Sequence, residues 1–338
     1  MSDNLLQVDH LRASFFTHVG EVQAVRDVSF SLKKGEILGL VGESGSGKSV
    51  TCMSVMKLLS HPGRITGGAV HFRGRDLVPL GEREMQQVRG NEISMVFQDP
   101  MTSLNPVYTV GSQMVEVIRQ HRPLDRRQAK EAAIKMLSLV GIPSPEERFH
   151  NYPHEFSGGM RQRALIAMAL SCDPGLLIAD EPTTALDVTI QAQVLELIGE
   201  VRERLGTSII LITHDLGVIA ESCERVIVMY GGMIMEQAPV EKIFFDPRNP
   251  YTLGLLQSVP DPTKETRERL QPIPGSPPDL LNPPRGCPFS GRCRFAMHIC
   301  EQRLPPLYEV EEGHQSRCWL LDEAAPRVPE IRKEGAKG

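Results

Sequence analysis

The chain has 338 residues, of which 41% are hydrophobic and 23% charged, and carries a net charge of −5. That composition is ordinary for a soluble globular protein and leaves room for one large domain or two smaller ones with ample core. No apolar run approaches the roughly 18 residues of a membrane span, the amino terminus has no secretory pattern, and the acidic balance speaks against general nucleic-acid binding. A cytosolic protein that meets a membrane only through partners is expected.

Leu5–Phe15 and Val25–Leu32 read as strands joined by a polar bend at His18-Val19-Gly20-Glu21. Phe15 is either a core phenylalanine or a flat ring on which an adenine can stack. Glu36–Val41 is a short apolar strand, followed by Gly42-Glu43-Ser44-Gly45-Ser46-Gly47-Lys48-Ser49 and a helical pattern from Lys48 to Leu59. The motif G-x-x-x-x-G-K-S between a strand and a helix is a phosphate-binding loop. Its glycines let successive backbone N–H groups turn inward, and the helix start adds partial positive charge. Lys48 then bridges the β- and γ-phosphates and the Ser49 hydroxyl ligates Mg²⁺, so the chain binds a nucleoside triphosphate.

Further on, Gly67–Phe72 and Ile93–Phe97 look like strands with the polar segment Gly81–Arg89 between them. Gln98–Pro106 is a loop punctuated by two prolines. Thr109–Val140 has helical periodicity, broken once at His121-Arg122-Pro123, and Phe156–Arg163 opens another helix reaching about Leu170. Leu176–Asp180, a helix from about Thr189 to Leu205, Ser208–Thr213 and Arg225–Tyr230 resume the alternation. Such a chain forms a mostly parallel sheet covered by helices and interrupted by a helical insertion. From about Pro260 prolines become too dense for helix or central strand, with six between Pro272 and Pro284. This strap leads into a small cysteine-bearing module, Gly286–Trp319, and a charged end from about Asp322 that is expected to fray.

Several strand ends carry chemistry. Asp180 would reach the Mg²⁺ shell and Glu181 would face the γ-phosphate and polarise an attacking water, although two adjacent acids can also cap a helix. Gln98 offers a neutral amide to the metal or the water. His214 ends another strand and can hydrogen-bond the γ-phosphate, although a lone histidine is often structural. Ser157-Gly158-Gly159 is a second anion-binding turn, which suggests that it serves a partner's nucleotide and that ATP joins two such domains.

The phosphate loop, the Gln98 loop, Phe156-Ser157-Gly158-Gly159-Met160, Leu176–Glu181, Thr184-Ala185-Leu186-Asp187 and His214 stand in the order seen in ATP-binding-cassette (ABC) ATPases, which residues 5 to about 258 resemble. The family's usual Leu-Ser-Gly-Gly-Gln reads Phe-Ser-Gly-Gly-Met here, with the Ser and both Gly intact. The segments Gln98–Pro106, Glu181–Gln193 and Pro274–Asp279 are similar to the dipeptide/oligopeptide/nickel importer branch. This resemblance implies an α/β ABC-type nucleotide-binding domain at 1–258, with a mostly parallel RecA-like core sheet, an antiparallel β part and a helical subdomain at about 99–172, and then a small cysteine-rich module at 259–338. It implies ATP contacts at Phe15, Gly42, Glu43, Ser44, Gly45, Ser46, Gly47, Lys48, Ser49 and Val50. Mg²⁺ ligands at Ser49, Gln98 and Asp180, catalysis by Glu181, His214 and Gln98, and contacts in trans from Ser157, Gly158, Gly159 and Asp187 follow in the same way.

The implied setting is the cytoplasmic face of the inner membrane, under two permease subunits and beside a second related ATPase, with an extracytoplasmic peptide-binding protein and no nucleic acid. Nickel-chelate or glutathione import is the nearest alternative. A soluble ABC ATPase working on ribosomes or nucleic acid is the alternative from another class, which one cassette and an acidic balance do not favour.

Cys52, Cys172 and Cys223 are scattered and expected to be buried as small apolar residues. Cys287, Cys293, Cys300 and Cys318 cluster near the end. Disulfides are disfavoured in the cytosol, which leaves free thiols, a Cys₄ zinc site without the usual paired knuckles, or an iron–sulfur cluster. Their spacing resembles the carboxy-terminal module of peptide-importer ATPases, which implies a 4Fe-4S cluster. Because the module lies outside the cassette motifs, its role is expected to be structural, with the metal centre supplying stability that a proline-rich strap lacks.

Overall fold

The computed structural model describes residues 4–98, 103–183, 187–258 and 272–331, and for Val188 and Thr189 the backbone alone. Residues 99–102 of the Gln98 loop, 184–186 before Asp187, the start of the strap at 259–271 and the end at 332–338 lie outside the described residues.

In chain order the strands are β1 (Asn4–Thr17), β2 (Gly20–Lys33), β3 (Ile37–Val41), β4 (Gly63–Phe72), β5 (Arg75–Asp76), β6 (Ile93–Val96) and β7 (Leu176–Asp180). They continue as β8 (Ser208–Ile212), β9 (Arg225–Tyr230), β10 (Met233–Pro239), β11 (Tyr308–Glu311) and β12 (His314–Ser316). The chain divides into two compact units: residues 1–7, 31–37 and 71–212, and residues 8–30, 38–70 and 213–338.

In the first unit β6, β7 and β8 lie side by side and pair in parallel, with Val96 opposite Ala179 and Asp180 opposite Ile212. Every residue of β7 and β8 is buried, as continuous apolar runs such as Leu-Leu-Ile-Ala require when helices cover both faces. The helical insertion contains Val110–His121 and Arg126–Leu139. Thr109 caps the first by accepting from the Ser112 amide at 3.2 Å. Asp125 and Gln128 cap the second reciprocally, each side chain accepting the other's amide, at 2.8 and 3.0 Å. Met114 and Ile118, then Ala129, Ala133 and Leu137, recur at helical spacing as the buried stripes. The break expected at His121–Pro123 is where one helix stops and the chain turns to the next.

The stretch before β6 differs from expectation. The polar segment Gly81–Arg89 contains a helix, Glu82–Val88, whose Glu84 carboxylate accepts from the Gly81 amide at 3.0 Å. Met85 and Val88 are its two buried residues, too few to raise a periodic signal in so short a stretch.

In the second unit the order is β11-β12-β10-β9-β3. β3 pairs with β9 in parallel, while β9–β10, β10–β12 and β11–β12 are antiparallel, so the sheet is mixed. A second sheet places β1 between β2 and β4. β10 to β12 escaped the sequence reading, and they change the account of the cysteine module. The module adds β12 to β10 with Glu236 opposite Ser316, as an edge strand is added in β-augmentation. The buried Asn249 amide then donates to the Met235 and Arg317 carbonyls, both at 3.1 Å. Ser316 Oγ donates to the Arg248 carbonyl at 3.0 Å, and the fully buried Glu236 and His314 pair at 2.8 Å. The end does not fray where described: Ile331 is 1% exposed and its carbonyl accepts from Arg248 Nη1 at 3.1 Å. Backbone pairing and buried polar contacts thus hold the module before any metal is considered. No helix among the described residues is long and apolar enough to cross a membrane.

Candidate nucleotide site

The phosphate loop leaves β3 where two glycines are pressed against backbone. A Cβ on Gly42 would sit 2.1 Å from the Met229 carbonyl oxygen, and one on Gly47 2.6 Å from that of Ala24. Their φ values, 147° and 103°, are ones that L side chains rarely adopt. The helix Lys48–Val55 starts directly after Gly47. Lys48 is 6% exposed and its ammonium donates to the carbonyls of Gly42 and Glu43, at 2.8 and 2.9 Å, with Ser46 Oγ at 3.4 Å. A buried ammonium needs such acceptors, and phosphate oxygens are stronger ones than carbonyls. Ser44 and Gly45 are exposed at the loop tip, and Ser49 and Val50 are half-buried in the first turn.

The same unit holds His214. The Thr213 amide donates to the Leu40 carbonyl at 3.4 Å, which registers this segment against the end of β3 and leaves the His214 ring exposed beyond it. Asp215 turns the chain at once by accepting from the Gly217 amide at 2.8 Å. Phe15, near the end of β1, is half-buried with its ring edge against Gly63, while the neighbouring Phe16 lies under the Arg64 guanidinium at 4.0 Å.

The other unit brings Gln98 and Glu181 together: Gln98 Nε2 donates to Glu181 Oε2 at 2.8 Å. Asp180 is 7% exposed at the end of β7, and Glu181, at φ 48°, turns away from the strand direction. Its amide donates to the Ile212 carbonyl at 2.9 Å, which holds that turn. The left-handed backbone at a non-glycine residue lets two adjacent carboxylates leave the strand end differently. Ser157 caps the helix Gly158–Leu170, accepting from the Met160 amide at 3.3 Å, and Ser157 and Gly158 are exposed. A Cβ on Gly159 would meet Ile190 Cγ2 at 2.7 Å. Asp187 caps the helix Val188–Leu205 through the Ile190 amide at 3.0 Å, so that two capped helix starts meet where Gly159 touches Ile190.

Sequence reasoning missed three residues around the phosphate loop. Glu43 donates its amide to Tyr251 Oη at 2.8 Å, and its carboxylate receives both ends of the Arg292 guanidinium, at 2.6 and 3.0 Å. Tyr230 Oη accepts from Arg292 at 3.0 Å. Tyr230, Tyr251 and Phe289 pack together below in tilted and edge-on pairs, with ring centroids 4.5 to 5.4 Å apart. No local pattern announces contacts across 208 and 249 residues of chain.

Cys52, Cys172 and Cys223 are buried free thiols, as expected. Cys287, Cys293, Cys300 and Cys318 all line one cavity of about 20 Å³ closed by Phe289, Phe295, Trp319 and Leu320. Burial is the main cause pushing the Cys287 thiol up to about 12, and it raises Cys293 and Cys318 as well. Neighbouring sulfurs push Cys287 and Cys318 in the same direction, which favours the neutral thiol at these two positions unless a cation joins them. Among the described residues no three or more His, Cys, Asp or Glu are grouped as a site for a metal ion.

Comparison with known proteins fits this geometry. Residues 25–184 match the ABC transporter family and residues 235–300 the oligopeptide/dipeptide transporter C-terminal region. The oligopeptide transport ATP-binding protein OppD of Bacillus subtilis (strain 168) is 56% identical, covering 96% of this chain and 91% of its own. This chain belongs to the peptide ABC transporter ATP-binding proteins. The dipeptide transport ATP-binding protein DppD of the same organism is 52% identical over 96% of both chains. Among solved structures, a dimeric ATP-binding cassette in a post-hydrolysis state with ADP and Pi superposes with a TM-score of 0.63 at 25% identity, covering 70% of this chain and 98% of that one. The peptide-transporter ATPase is thus an ABC nucleotide-binding α/β fold, with a mixed sheet, followed by the transporter family's C-terminal region.

For this ATPase, Glu181→Gln keeps the hydrogen-bonding shape beside Gln98 and removes the basic oxygen. Steady-state ATP hydrolysis should fall by about a hundredfold or more while equilibrium binding of MgATP persists. Turnover near the parent rate would remove Glu181 from the role of base.

Proposed function

We propose that this protein hydrolyses ATP to power import of di- or oligopeptides, working at the cytoplasmic face of the inner membrane as a peripheral subunit. The observation that carries the reading is a fully built phosphate loop in a chain that matches peptide-transport ATP-binding proteins over 96% of its length. Residues 1–258 serve as the ATPase and 259–338 as a carboxy-terminal module, with 99–172 as the helical subdomain. Its partners are two permeases, a second related ATPase and, outside the membrane, a peptide-binding protein.

In this reading the loop amides from Gly42 to Ser49, with Val50, cradle the triphosphate, and half-buried Phe15 stacks on the base. Ser49, Gln98 and Asp180 would hold Mg²⁺, which neutralises charge between the β- and γ-phosphates. Glu181, oriented by Gln98, accepts a proton from the attacking water, and His214 hydrogen-bonds a γ-phosphate oxygen. Ser157, Gly158, Gly159 and Asp187 complete the site of the opposing cassette. Support comes from the exposed Ser157 cap and exposed Gly158 at a helix start, an anion-binding turn for which this chain needs no phosphate of its own.

The four late cysteines would hold a 4Fe-4S cluster, with a structural role and with zinc as the alternative occupant. All four thiols facing one small cavity support this.

Two experiments test these readings. This chain carrying Ser157→Arg, mixed with an intact partner ATPase, should lose nucleotide occlusion at the partner's phosphate loop; loss only at this chain's own Lys48 would contradict the arrangement in trans. Protein purified without oxygen should contain iron and acid-labile sulfide in equal amounts, both lost in Cys293→Ser. Stoichiometric zinc instead would replace the cluster by a zinc centre, and four freely alkylated thiols in the folded protein would remove the metal altogether.

A further inference from the structure

Arg292 precedes Cys293 in a short 3-10 turn, far from any cassette motif in the chain, yet its guanidinium is 8% exposed and entirely occupied. Nη1 donates to Glu43 Oε2 at 2.6 Å and to Tyr230 Oη at 3.0 Å. Nη2 donates to Glu43 Oε1 at 3.0 Å and to the Ile273 carbonyl at 3.1 Å, and Nε to the Pro274 carbonyl at 2.7 Å. Each of the five N–H donors a guanidinium possesses therefore has an acceptor. The Glu43 contact is the two-pronged form that fixes geometry as well as charge.

Glu43 occupies a position the phosphate-loop motif leaves open, and an acid there is a liability. It stands next to Gly42, its carbonyl receives the Lys48 ammonium, and the loop it belongs to must accept a highly negative triphosphate. An unpaired carboxylate at this place would repel the nucleotide and compete for Lys48. Paired as observed, the carboxylate is neutralised, and the Glu43 peptide is held from two sides, by Arg292 through the side chain and by Tyr251 Oη at the amide.

We propose that Arg292 is a positioning residue for nucleotide binding: from the cysteine module it neutralises and orients Glu43, so that the phosphate loop presents its amides and Lys48 to ATP. The carboxy-terminal region thereby serves the ATP site directly. The effect scales with nucleotide charge, because what Arg292 removes is repulsion between Glu43 and phosphate.

The test is a double-mutant cycle on the full chain, read by equilibrium titration with MgATP and with MgADP. Arg292→Gln should weaken MgATP binding by about tenfold, as expected for loss of a charge-assisted pair, with a smaller loss for the less negative MgADP. The defect should fall mainly in KM and should shrink as salt is raised. Adding Glu43→Gln to Arg292→Gln should recover most of the lost affinity, because the unpaired charge is gone. A purely structural salt bridge predicts otherwise: the double variant would bind no better than the single, or Arg292→Gln would melt earlier yet bind MgATP as the parent does. Either result overturns the proposal. If Arg292→Gln does not fold, Arg292→Lys carries the same cycle. It keeps the charge without the fork, and should show an intermediate loss that Glu43→Gln again reduces; parent-like binding or an unreduced loss would overturn it.

Discussion

The constraint on which the rest depends is the absence of side chains at Gly42 and Gly47. Carbonyl oxygens of Met229 and Ala24 occupy the space where a Cβ would stand, 2.1 and 2.6 Å away. Only glycine permits that approach together with φ values of 147° and 103°. Because the loop is pinned there, at the end of a fully buried strand, the helix starting at Lys48 has one place to begin. Its ammonium then finds the Gly42 and Glu43 carbonyls without searching. The chemistry of phosphate binding is thus set by backbone against backbone, and side chains only refine it.

The carboxy-terminal region is built on the same unit as that loop and by the same kinds of interaction. Strand addition at β10 places the module, the Asn249 amide joins three stretches of backbone, and Arg292 closes the distance to Glu43. The aromatic group of Tyr230, Tyr251 and Phe289 fills the space beneath, and Tyr251 is completely buried with its hydroxyl used by the loop. A metal centre at the four cysteines would add to a scaffold already joined by hydrogen bonds, which moves its contribution from creating the module's shape to tightening it.

What could be read from the sequence was what is local. Eight consecutive residues specify the phosphate loop, four apolar residues followed by two acids specify the end of β7, and Asp125 with Gln128 or Ser157 before two glycines specify helix starts. Each depends on neighbours within one turn or one strand. The helix Glu82–Val88 was missed because two buried residues make no stripe. β10 and β12 were missed because pairing Glu236 with Ser316 joins positions far apart in a chain whose intervening sequence is rich in proline. Nothing beside Arg292 in the sequence points to Glu43, its partner 249 residues earlier. The four cysteines stood out by clustering, yet the small cavity that gathers them is a tertiary fact.

The central claim is that Lys48, held in a glycine-built loop, is the group through which this chain grips a nucleoside triphosphate. Equilibrium titration of Lys48→Ala with MgATP tests it most directly. Loss of the one buried ammonium donating across the loop should weaken MgATP binding by about a hundredfold, the equivalent of about 2.7 kcal/mol, with the fold intact by circular dichroism. Affinity within about twofold of the parent would mean that the triphosphate is held elsewhere, and the account would fail at its root.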